Sequence, residues 1–227
     1  MEKISFISVL YNHDINIVKN MILSIHNCMQ YCSYFEYEII LVNNSIDMKY
    51  EFDFKNTKLI DSNDNLGYCG GNNLGILNSN GEYIIIINPD VIITDSLAFD
   101  WLVGSSKYYN SISGKIVGIN NWYTYPSSFP TDKVYHDNLP FYYNEPTHEK
   151  PGNWKIMPYV DGSLMCFHRK IWDSVEGFDT HCFPGYFGEN IFQFKCWLQL
   201  GTPLRECNLD KLYMIHISSI LKTINSF

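Results

Sequence analysis

The sequence has little positive charge. Its 227 residues include 16 Lys or Arg against 24 Asp or Glu, so the formal net charge is −8. Proteins that bind a nucleic-acid backbone neutralise many phosphates with basic side chains and gain affinity from the counterions that are released. We therefore expect no nucleic-acid partner, although local donors could still hold one small phosphate ligand.

A membrane span and a disulfide or zinc framework are also missing from the pattern. No run reaches the roughly 18 to 20 apolar residues that a transmembrane helix needs, and the first residues carry no cleavage signal. None of the 7 cysteines belongs to a Cys-x-x-Cys pair, and Cys28 and Cys32 have no second pair at zinc-like spacing. We predict a cytoplasmic protein with buried free thiols and at most a peripheral contact with the inner face of a membrane. A metal or disulfide role for the cysteines is the less favoured alternative.

Two familiar nucleotide-binding signatures are absent as well. The sequence contains neither Gly-x-Gly-x-x-Gly nor a Walker loop ending in Lys-Ser or Lys-Thr. No glycine-rich loop follows the first predicted strand. These absences weigh against a dinucleotide-dependent oxidoreductase and against a sugar nucleotidyltransferase.

Apolar runs alternate with helical patterns over residues 1–120. Residues 4–10, 38–42 and 83–87 read as buried strands, and apolar residues recur at helical spacing from Val18 to Met29 after a capping Asp14. A further helix is predicted over 70–80, closed by Gly81. Continuous apolar strands separated by helices are typical of a parallel sheet covered on both faces. We predict an α/β fold with a Rossmann-like, mostly parallel sheet flanked by helices.

The pattern changes after residue 120. Residues 122–158 are rich in Tyr, Pro and Asn and have no clear periodicity, as in long functional loops. Regular structure is predicted again at 163–168 as a strand and at 189–200 as a helix that Gly201 ends. We interpret this part as a smaller lobe of a single domain, 1–227, rather than as a second domain.

Polar clusters stand where the predicted strands end. In parallel α/β sheets, ligands bind at the carboxyl ends of the strands. Turns favour Asn, Asp and Gly in any case, so each cluster alone is a weak signal, but four on successive strands favour a nucleotide site. The clusters are Tyr11-Asn12, Asn43-Asn44-Ser45, the segment 65–73 (NLGYCGGNN) and Asn88-Pro89-Asp90.

The segment 65–73 followed by Asn88-Pro89-Asp90 resembles the family 2 glycosyltransferases, and most closely their rhamnosyltransferase-like branch of bacterial surface polysaccharide biosynthesis. Further matches keep the family order over nearly the whole chain. They are VDG at 160–162, EGFD at 176–179, YFGEN at 186–190 and the late His216. The resemblance implies a GT-A fold, a nucleotide-sugar donor and a divalent metal. Residues 1–120 would then bind the nucleotide-sugar and residues 121–227 the acceptor.

The resemblance assigns a metal site. Asp90 matches the family's variant of the Asp-x-Asp motif, and His216 matches a late histidine that supplies a second ligand in metal-dependent relatives. Mn²⁺ or Mg²⁺ held there would neutralise charge on the departing nucleoside diphosphate. A plain turn at Pro89-Asp90 and an ordinary strand-end histidine are the alternatives.

Donor contacts are assigned in the same way, with turn chemistry as the alternative. Tyr11 and its neighbour Asn12 match the position that contacts the base, and Asn43 stands where relatives usually carry an aspartate. From the residues themselves, Gly70 and Gly71 are predicted to open a helix whose free N–H groups face a phosphate. The residues expected along the ribose and diphosphate are Asn65, Gly71 and Asn72, and Gly70 and Asn88 are further candidate donor contacts.

The catalytic base is less evident. Inverting transfer needs one base to take the proton of the acceptor hydroxyl. Glu189-Asn190 matches a Glu-Asp pair whose aspartate has that role in many relatives, so here Glu189 is the candidate base and Asp161 the remaining carboxylate near the acceptor. A simple helix-capping role for Glu189 is the alternative.

These assignments predict a metal-dependent, inverting hexosyltransferase. It would move a sugar from a UDP- or dTDP-sugar to a lipid-linked saccharide acceptor in O-antigen or capsule synthesis. The acceptor and sugar contacts are placed in the aromatic loop 122–158. The rival interpretation is a catalytically impaired binding or partner subunit, because Asn43 and Asn190 both replace acids.

Overall fold

The computed structural model describes residues 1–95, 97–117, 134–135, 159–181, 188–206 and 214–216. Most of the aromatic loop 122–158, with its predicted acceptor contacts, lies outside the described residues, as do Tyr186 and Phe187 of the YFGEN motif. The strands are β1 (Glu2–Leu10), β2 (Phe35–Asn43), β3 (Thr57–Asp61), β4 (Tyr83–Ile87), β5 (Val91–Ile93), β6 (Ile112–Val117), β7 (Val134–Tyr135), β8 (Tyr159–His168), β9 (Leu204–Glu206) and β10 (Met214–His216). The helices are α1 (Ile15–Met29), α2 (Gly67–Leu77), α3 (Ala98–Tyr109), α4 (Arg169–Ser174) and α5 (Gly188–Leu200).

One large sheet organises these elements. Its strand order is β3-β2-β1-β4-β8-β6-β9-β7. The first four strands are mutually parallel, whereas β8 runs antiparallel to both β4 and β6. A separate ribbon pairs β10 with β5 in antiparallel register. The parallel part therefore gathers the carboxyl ends of four strands at one edge, as the α/β prediction requires.

Side chains on the two faces of β1 pack into two separate hydrophobic cores. Ile4, Phe6 and Leu10 pack on the side of α1 and α3, where the Phe6 ring lies 4.8 Å from the Phe99 ring between centroids. Ile7 packs on the opposite side with residues of α2, α4 and α5. Because side chains alternate along a strand, one apolar run fills both layers. Burying each of these large side chains stabilises the fold by roughly 1.5 to 3 kcal/mol.

The described cysteines behave as small core residues. Cys28, Cys32, Cys69, Cys166 and Cys196 are buried and form no disulfide. Burial raises the pKa of the Cys28 thiol to about 11, with a further contribution from the charge of Asp95. Burial likewise raises the pKa of Cys32 to about 11 and that of Cys196 to about 12, so these three thiols stay protonated at neutral pH. The predicted burial of the cysteines is confirmed at the five described positions. Among the residues that the structure describes, no helix is both long and apolar enough to cross a bilayer.

Helix α2 begins three residues earlier than the sequence pattern predicted. Gly67 has a φ of 66°, in the left-handed region that favours glycine, and its N–H donates to Oδ1 of Asn65 at 2.9 Å. The helix ends at Leu77 with Asn78 as its C-cap, so Gly81 lies beyond it. The predicted bounds 70–80 were therefore three residues too late at each end. Gly70 and Gly71 lie inside the helix and not at its start.

Candidate active site

A cleft of about 410 Å³ lies at the carboxyl ends of the parallel strands. Its walls combine aliphatic side chains of β1 and β4 with a ring of polar and aromatic groups. Clefts at this edge of an α/β sheet are where such folds bind ligands. The polar and aromatic residues at the cleft are Tyr11, His13, Asn44, Asn65, Tyr68, Asn72 and Asn88. Four predicted donor contacts, Tyr11, Asn65, Asn72 and Asn88, thus come together.

Tyr11 and Asn12 follow β1, but only Tyr11 lines the cleft. Tyr11 is 51% exposed, so its ring is available to stack on a planar group at the cleft. Asn12 has a φ of 53° and is exposed, and its backbone N–H donates to Oγ of Ser45 at 2.8 Å. It does not line the cleft. A turn-forming role accounts for Asn12, whereas a base contact by Tyr11 remains a prediction.

The side chain of Asn43 is committed to the protein itself. Its Nδ2 donates to the carbonyl of Met48 at 2.9 Å and to Oδ1 of Asp61 at 2.8 Å, while its Oδ1 accepts the N–H of Ser45 at 2.9 Å. The residue is 1% exposed and does not line the cleft. The structure therefore gives Asn43 an architectural role in holding the loop after β2.

Two residues at the cleft were not assigned from the sequence. Asn44 belongs to the polar cluster after β2, but the family resemblance points to Asn43 in that cluster, and no sequence motif contains His13. The N–H of Tyr11 donates to Nδ1 of His13 at 3.0 Å, which assigns the imidazole proton to Nε2 when the ring is neutral. Burial lowers the pKa of His13, although the nearby negative charge of Asp90 acts to raise it. His13 is thus a neutral donor beside the acid predicted to hold a metal.

Gly70 and Gly71 do not open a helix, contrary to the prediction. They lie in the second turn of α2, where backbone N–H groups bond within the helix. A Cβ on Gly71 would lie 2.7 Å from Cγ1 and 2.8 Å from Cγ2 of Val9, and 3.0 Å from Nδ2 of Asn44. The missing side chain of Gly71 therefore lets α2 pack closely on β1, and donor contacts by either glycine remain a prediction only.

A pair of glycine substitutions checks this packing role. We expect Gly71→Ala to lower the free energy of unfolding by about 1 to 3 kcal/mol, the usual cost of overpacking a core. Gly104 is the matched control, because it lies within α3 and a Cβ there would meet nothing within 4 Å. Gly104→Ala should raise the free energy of unfolding by roughly 0.5 to 1 kcal/mol. Denaturant titration measures both, and equal stabilisation by the two alanines would contradict the packing role.

The backbone brings the two predicted metal ligands to neighbouring positions. Asp90 is 8% exposed and lies in the turn between β4 and β5. His216 pairs with Val91, the next residue, through the ribbon of β5 and β10. In the described residues no group of three or more His, Cys, Asp or Glu forms a metal site. Two protein ligands fit a cation that takes its other ligands from phosphate and water, as Mg²⁺ commonly does.

The predicted catalytic acids lie next to each other beyond Tyr68. The Tyr68 hydroxyl donates to the carbonyl of Gly162 at 2.8 Å, and a Cβ on Gly162 would lie 3.3 Å from Cβ of Glu189. Burial raises the pKa of Glu189, its own backbone N–H acts to lower it, and the charge of Asp161 raises it further. Burial and the same two acids raise the pKa of Tyr68 well above its usual range, so its hydroxyl remains a donor. Tyr68 thus connects the cleft to the acid pair.

Comparison with known proteins identifies the fold. Solved structures with similar folds include the mannosyltransferase PcManGT from Pyrobaculum calidifontis in complex with GDP-Man and Mn²⁺, at a TM-score of 0.58 and 11% identity over 91% of this chain and 55% of that one. They also include S. aureus TarS in complex with UDP-GlcNAc, at a TM-score of 0.59 and 14% identity over 96% of this chain and 61% of that one. The fold is GT-A. The predicted fold class is therefore confirmed.

Sequence similarity is weaker than this structural similarity. No protein-family model matches the chain. A curated relative, the low-salt glycan biosynthesis hexosyltransferase Agl10 of Haloferax volcanii, is 24% identical over 185 residues. That alignment covers 76% of this chain and 55% of Agl10, so the chain spans about half the length of this relative. A GT-A fold is thus shared with glycosyltransferases.

Proposed function

We propose that this chain is an inverting glycosyltransferase that moves a sugar from a nucleoside diphosphate-sugar to a saccharide acceptor. The observation that carries the proposal is the arrangement of the cleft. Tyr11 and the asparagines lie at the ends of the parallel strands, Asp90 lies in the turn after β4, and Tyr68 joins the cleft to Asp161 and Glu189. Tyr68 thus links the proposed donor contacts to the candidate base, and transfer to a second substrate requires both near the reacting atoms.

The similar proteins support the donor class. PcManGT is complexed with GDP-Man and Mn²⁺, TarS with UDP-GlcNAc, and Agl10 is named a hexosyltransferase. Segments 65–73 and 88–90 resemble those of family 2 glycosyltransferases, and on that resemblance the proposed donor is a UDP- or dTDP-sugar. The resemblance to the rhamnosyltransferase-like branch further favours an acceptor in O-antigen or capsule synthesis, carried by a lipid at the inner face of the membrane.

Glu189 is the proposed base. As the acceptor hydroxyl attacks the anomeric carbon, a new glycosidic bond forms on one face and the bond to the nucleoside diphosphate breaks on the other. The hydroxyl proton passes to the Glu189 carboxylate, and the bonding electrons leave with the diphosphate. Burial disfavours the ionised form of this side chain and so makes it a stronger base than an exposed glutamate.

Asp90 and His216 are the proposed ligands of a divalent cation. A carboxylate with an imidazole suits Mn²⁺, and a carboxylate alone suits Mg²⁺. A bound cation would neutralise the charge that develops on the departing diphosphate. Asn88, a proposed donor contact, lines the cleft, and Asp90, the proposed metal ligand, follows two residues later in the turn.

A catalytically impaired binding subunit is the second candidate. Asn190 supports the binding subunit, because the resemblance places an amide where many relatives carry the aspartate that acts as the general base. The architectural hydrogen bonds of Asn43 remove the other substitution as support, since that amide serves the fold. The half-buried pair of Asp161 and Glu189 favours the enzyme.

Donor hydrolysis and transfer distinguish the two candidates. The protein is incubated with UDP-, GDP- and dTDP-sugars, with Mn²⁺ or with EDTA, and release of the nucleoside diphosphate is followed. An enzyme should release the diphosphate from one donor in the presence of metal, and faster when a saccharide acceptor is added. A binding subunit should bind a nucleoside diphosphate in calorimetry without releasing one.

The pH dependence of transfer tests the acid pair. The activity requires ionised Glu189, and its raised pKa places the acidic limb of the pH–rate profile above the ordinary glutamate range. In Asp161→Asn the neighbouring negative charge is gone, so the pKa of Glu189 falls and the limb moves to lower pH. Glu36→Gln, an exposed site on β2, is the control and should leave the limb in place. A limb that stays fixed in Asp161→Asn would contradict the coupling.

A further inference from the structure

The segment of β8 that carries Asp161 lies outside the regular strand pairing. Among the described residues, 161–163 pair with neither β4 nor β6. The register with β6 shifts at this point, so that four residues of β8 lie opposite a single residue of β6, as in an extended β-bulge. Contacts other than the strand ladder therefore fix the backbone around Asp161.

A buried glutamine of α5 holds the residue before Asp161. Gln193 is 1% exposed, its Nε2 donates to the carbonyl of Val160 at 2.8 Å, and its Oε1 accepts the N–H of Val160 at 2.8 Å. One side-chain amide thus uses its donor and its acceptor on one residue, as a paired antiparallel strand would. These two bonds tie α5 to β8 at Val160.

The same helix carries the candidate base. Glu189 precedes Gln193 by four residues in α5, and residues four apart lie on the same face of a helix. Asp161 directly follows Val160 in β8. The amide of Gln193 therefore joins the two backbone segments that carry the acid pair.

Tyr68 of α2 holds the residue after Asp161. Its hydroxyl donates to the carbonyl of Gly162, and its ring lies edge-on to that of Phe178, with 6.1 Å between the ring centroids. Asp161 thus lies between two residues whose backbone is held by side chains from two different helices.

The carboxylate of Asp161 is tied to β4 and not to α5. Its Oδ1 accepts the N–H of Ser163 at 2.7 Å, and the carbonyl of Ser163 accepts the N–H of Asn88 at 2.8 Å, directly after β4. If α5 moved relative to β8, Glu189 would be displaced while Asp161 kept its place. The bonds of Gln193 to Val160 oppose that movement.

We propose that Gln193 is a positioning residue of the transfer reaction, which sets the Glu189 carboxylate at a fixed separation from Asp161 by tying α5 to β8. The inference rests on the proposed function, because it concerns the same candidate base. It gives a role to a residue that none of the sequence motifs contains. Gln193 acts through Glu189 and is not itself a catalytic residue.

Gln193→Leu tests the inference, because leucine suits a helix and has neither hydrogen-bonding group. A base displaced by about 1 Å should lower kcat by about 10- to 100-fold. The KM for the donor should hardly change, because the loss falls on the transition state. Gln199→Leu is the matched control, since it makes the same chemical change at an exposed position of α5 and should leave both parameters unchanged. Wild-type kcat in a folded Gln193→Leu variant would overturn the inference.

The pKa of Glu189 gives a second readout, which requires no activity. Burial and the charge of Asp161 raise this pKa. Tyr68 and Tyr159 are the other titratable groups that face the acid pair in the described part of the chain, and both stay neutral near pH 7 because their own pKa values are raised. We expect Gln193→Leu to lower the pKa of Glu189, as α5 moves away from Asp161. Carbon-13 NMR titration of the side-chain carboxyls measures it, and Glu189→Gln identifies the signal.

A double variant separates positioning from a general loosening of the site. In Asp161→Asn the neighbouring charge is absent, so Gln193→Leu should lower the pKa of Glu189 less in that background than in wild type. If the two decreases are equal, the glutamine only keeps water away from Glu189, and the inference is wrong.

Thermal unfolding is measured before these comparisons, because Gln193→Leu leaves the N–H and the carbonyl of Val160 without their partners. If that variant does not fold, Gln193→Met takes its place, since its sulfur can still accept weakly. Failure of both variants to fold would show a purely structural role and overturn the inference. A wild-type protein that neither hydrolyses a donor nor transfers a sugar would overturn the proposed function, while the NMR comparison still decides whether Gln193 sets the acid pair.

Discussion

Glu189→Gln should reduce the rate of sugar transfer by at least about 100-fold, the lower end of what a general base contributes. Glutamine keeps the size and the hydrogen-bonding ability of the side chain but cannot take the acceptor proton. Donor affinity should hardly change, because the lost interaction belongs to the transition state. Steady-state kinetics with saturating donor and acceptor, together with calorimetry for the donor, measure the two effects separately.

Asn190→Asp is the informative companion of this variant. Asn190 follows Glu189 in the first turn of α5. By the family resemblance, this is the position of the aspartate that acts as the general base in many relatives. If Glu189 is the base, an acid at position 190 should change transfer little. A harmless Glu189→Gln combined with a strongly activating Asn190→Asp would reverse the assignment. The natural protein would then lack its base, and the binding-subunit candidate would become the better one.

Asp90→Ala should remove the part of nucleoside diphosphate affinity that depends on Mn²⁺, on the order of 100-fold if the cation contributes several kcal/mol. Asp90 is nearly buried in the turn after β4, and His216 lies across the β5–β10 ribbon from its neighbour Val91. His216→Ala should give a smaller loss of the same kind, since only one of several ligands is removed. Titrations with Mn²⁺ and with EDTA give the metal-dependent part directly.

The control for this prediction is an acid of the same type elsewhere. Asp53 is exposed in the loop between β2 and β3, so Asp53→Ala changes the net charge equally without touching the cleft. It should leave both titrations unchanged. Unaltered Mn²⁺-dependent affinity in a folded Asp90→Ala variant would show that Asp90 only terminates the strand.

The central strands could be predicted because their sequences leave little choice. Residues 83–87 are apolar throughout and are followed by Asn88-Pro89, so the predicted bounds of β4 agree with the structure. Helix α4 was missed because long-range contacts hold it. Its first residue, Arg169, donates to the carbonyls of Gly81 and Ile76 and to Oγ of Ser79. A six-residue helix is too short for a clear apolar periodicity. Hydrogen-bond partners about 90 residues away cannot be predicted from the local sequence.

The cleft could be located from the sequence, but the direction of its side chains could not. Asn43 and Asn44 are adjacent at the end of a strand, where successive side chains point to opposite faces. One of them faces the loop and the other the cleft, and the order depends on the bonds of Asn43 to Met48 and Asp61. The glycines of α2 show the same limit, because an empty Cβ position serves packing as readily as ligand access.

The bonds of Asn43 also constrain how this position can change in evolution. An aspartate there would set its carboxylate against Oδ1 of Asp61 and the carbonyl of Met48, both of which now accept hydrogen bonds from Asn43. The single exchange Asn43→Asp is therefore disfavoured, whereas the reciprocal exchange with Asp61→Asn restores a donor and an acceptor. Homologues that carry aspartate at position 43 should lack an acid at position 61. The amide at 43 is then one half of a compensated pair, and its presence says nothing about lost catalysis.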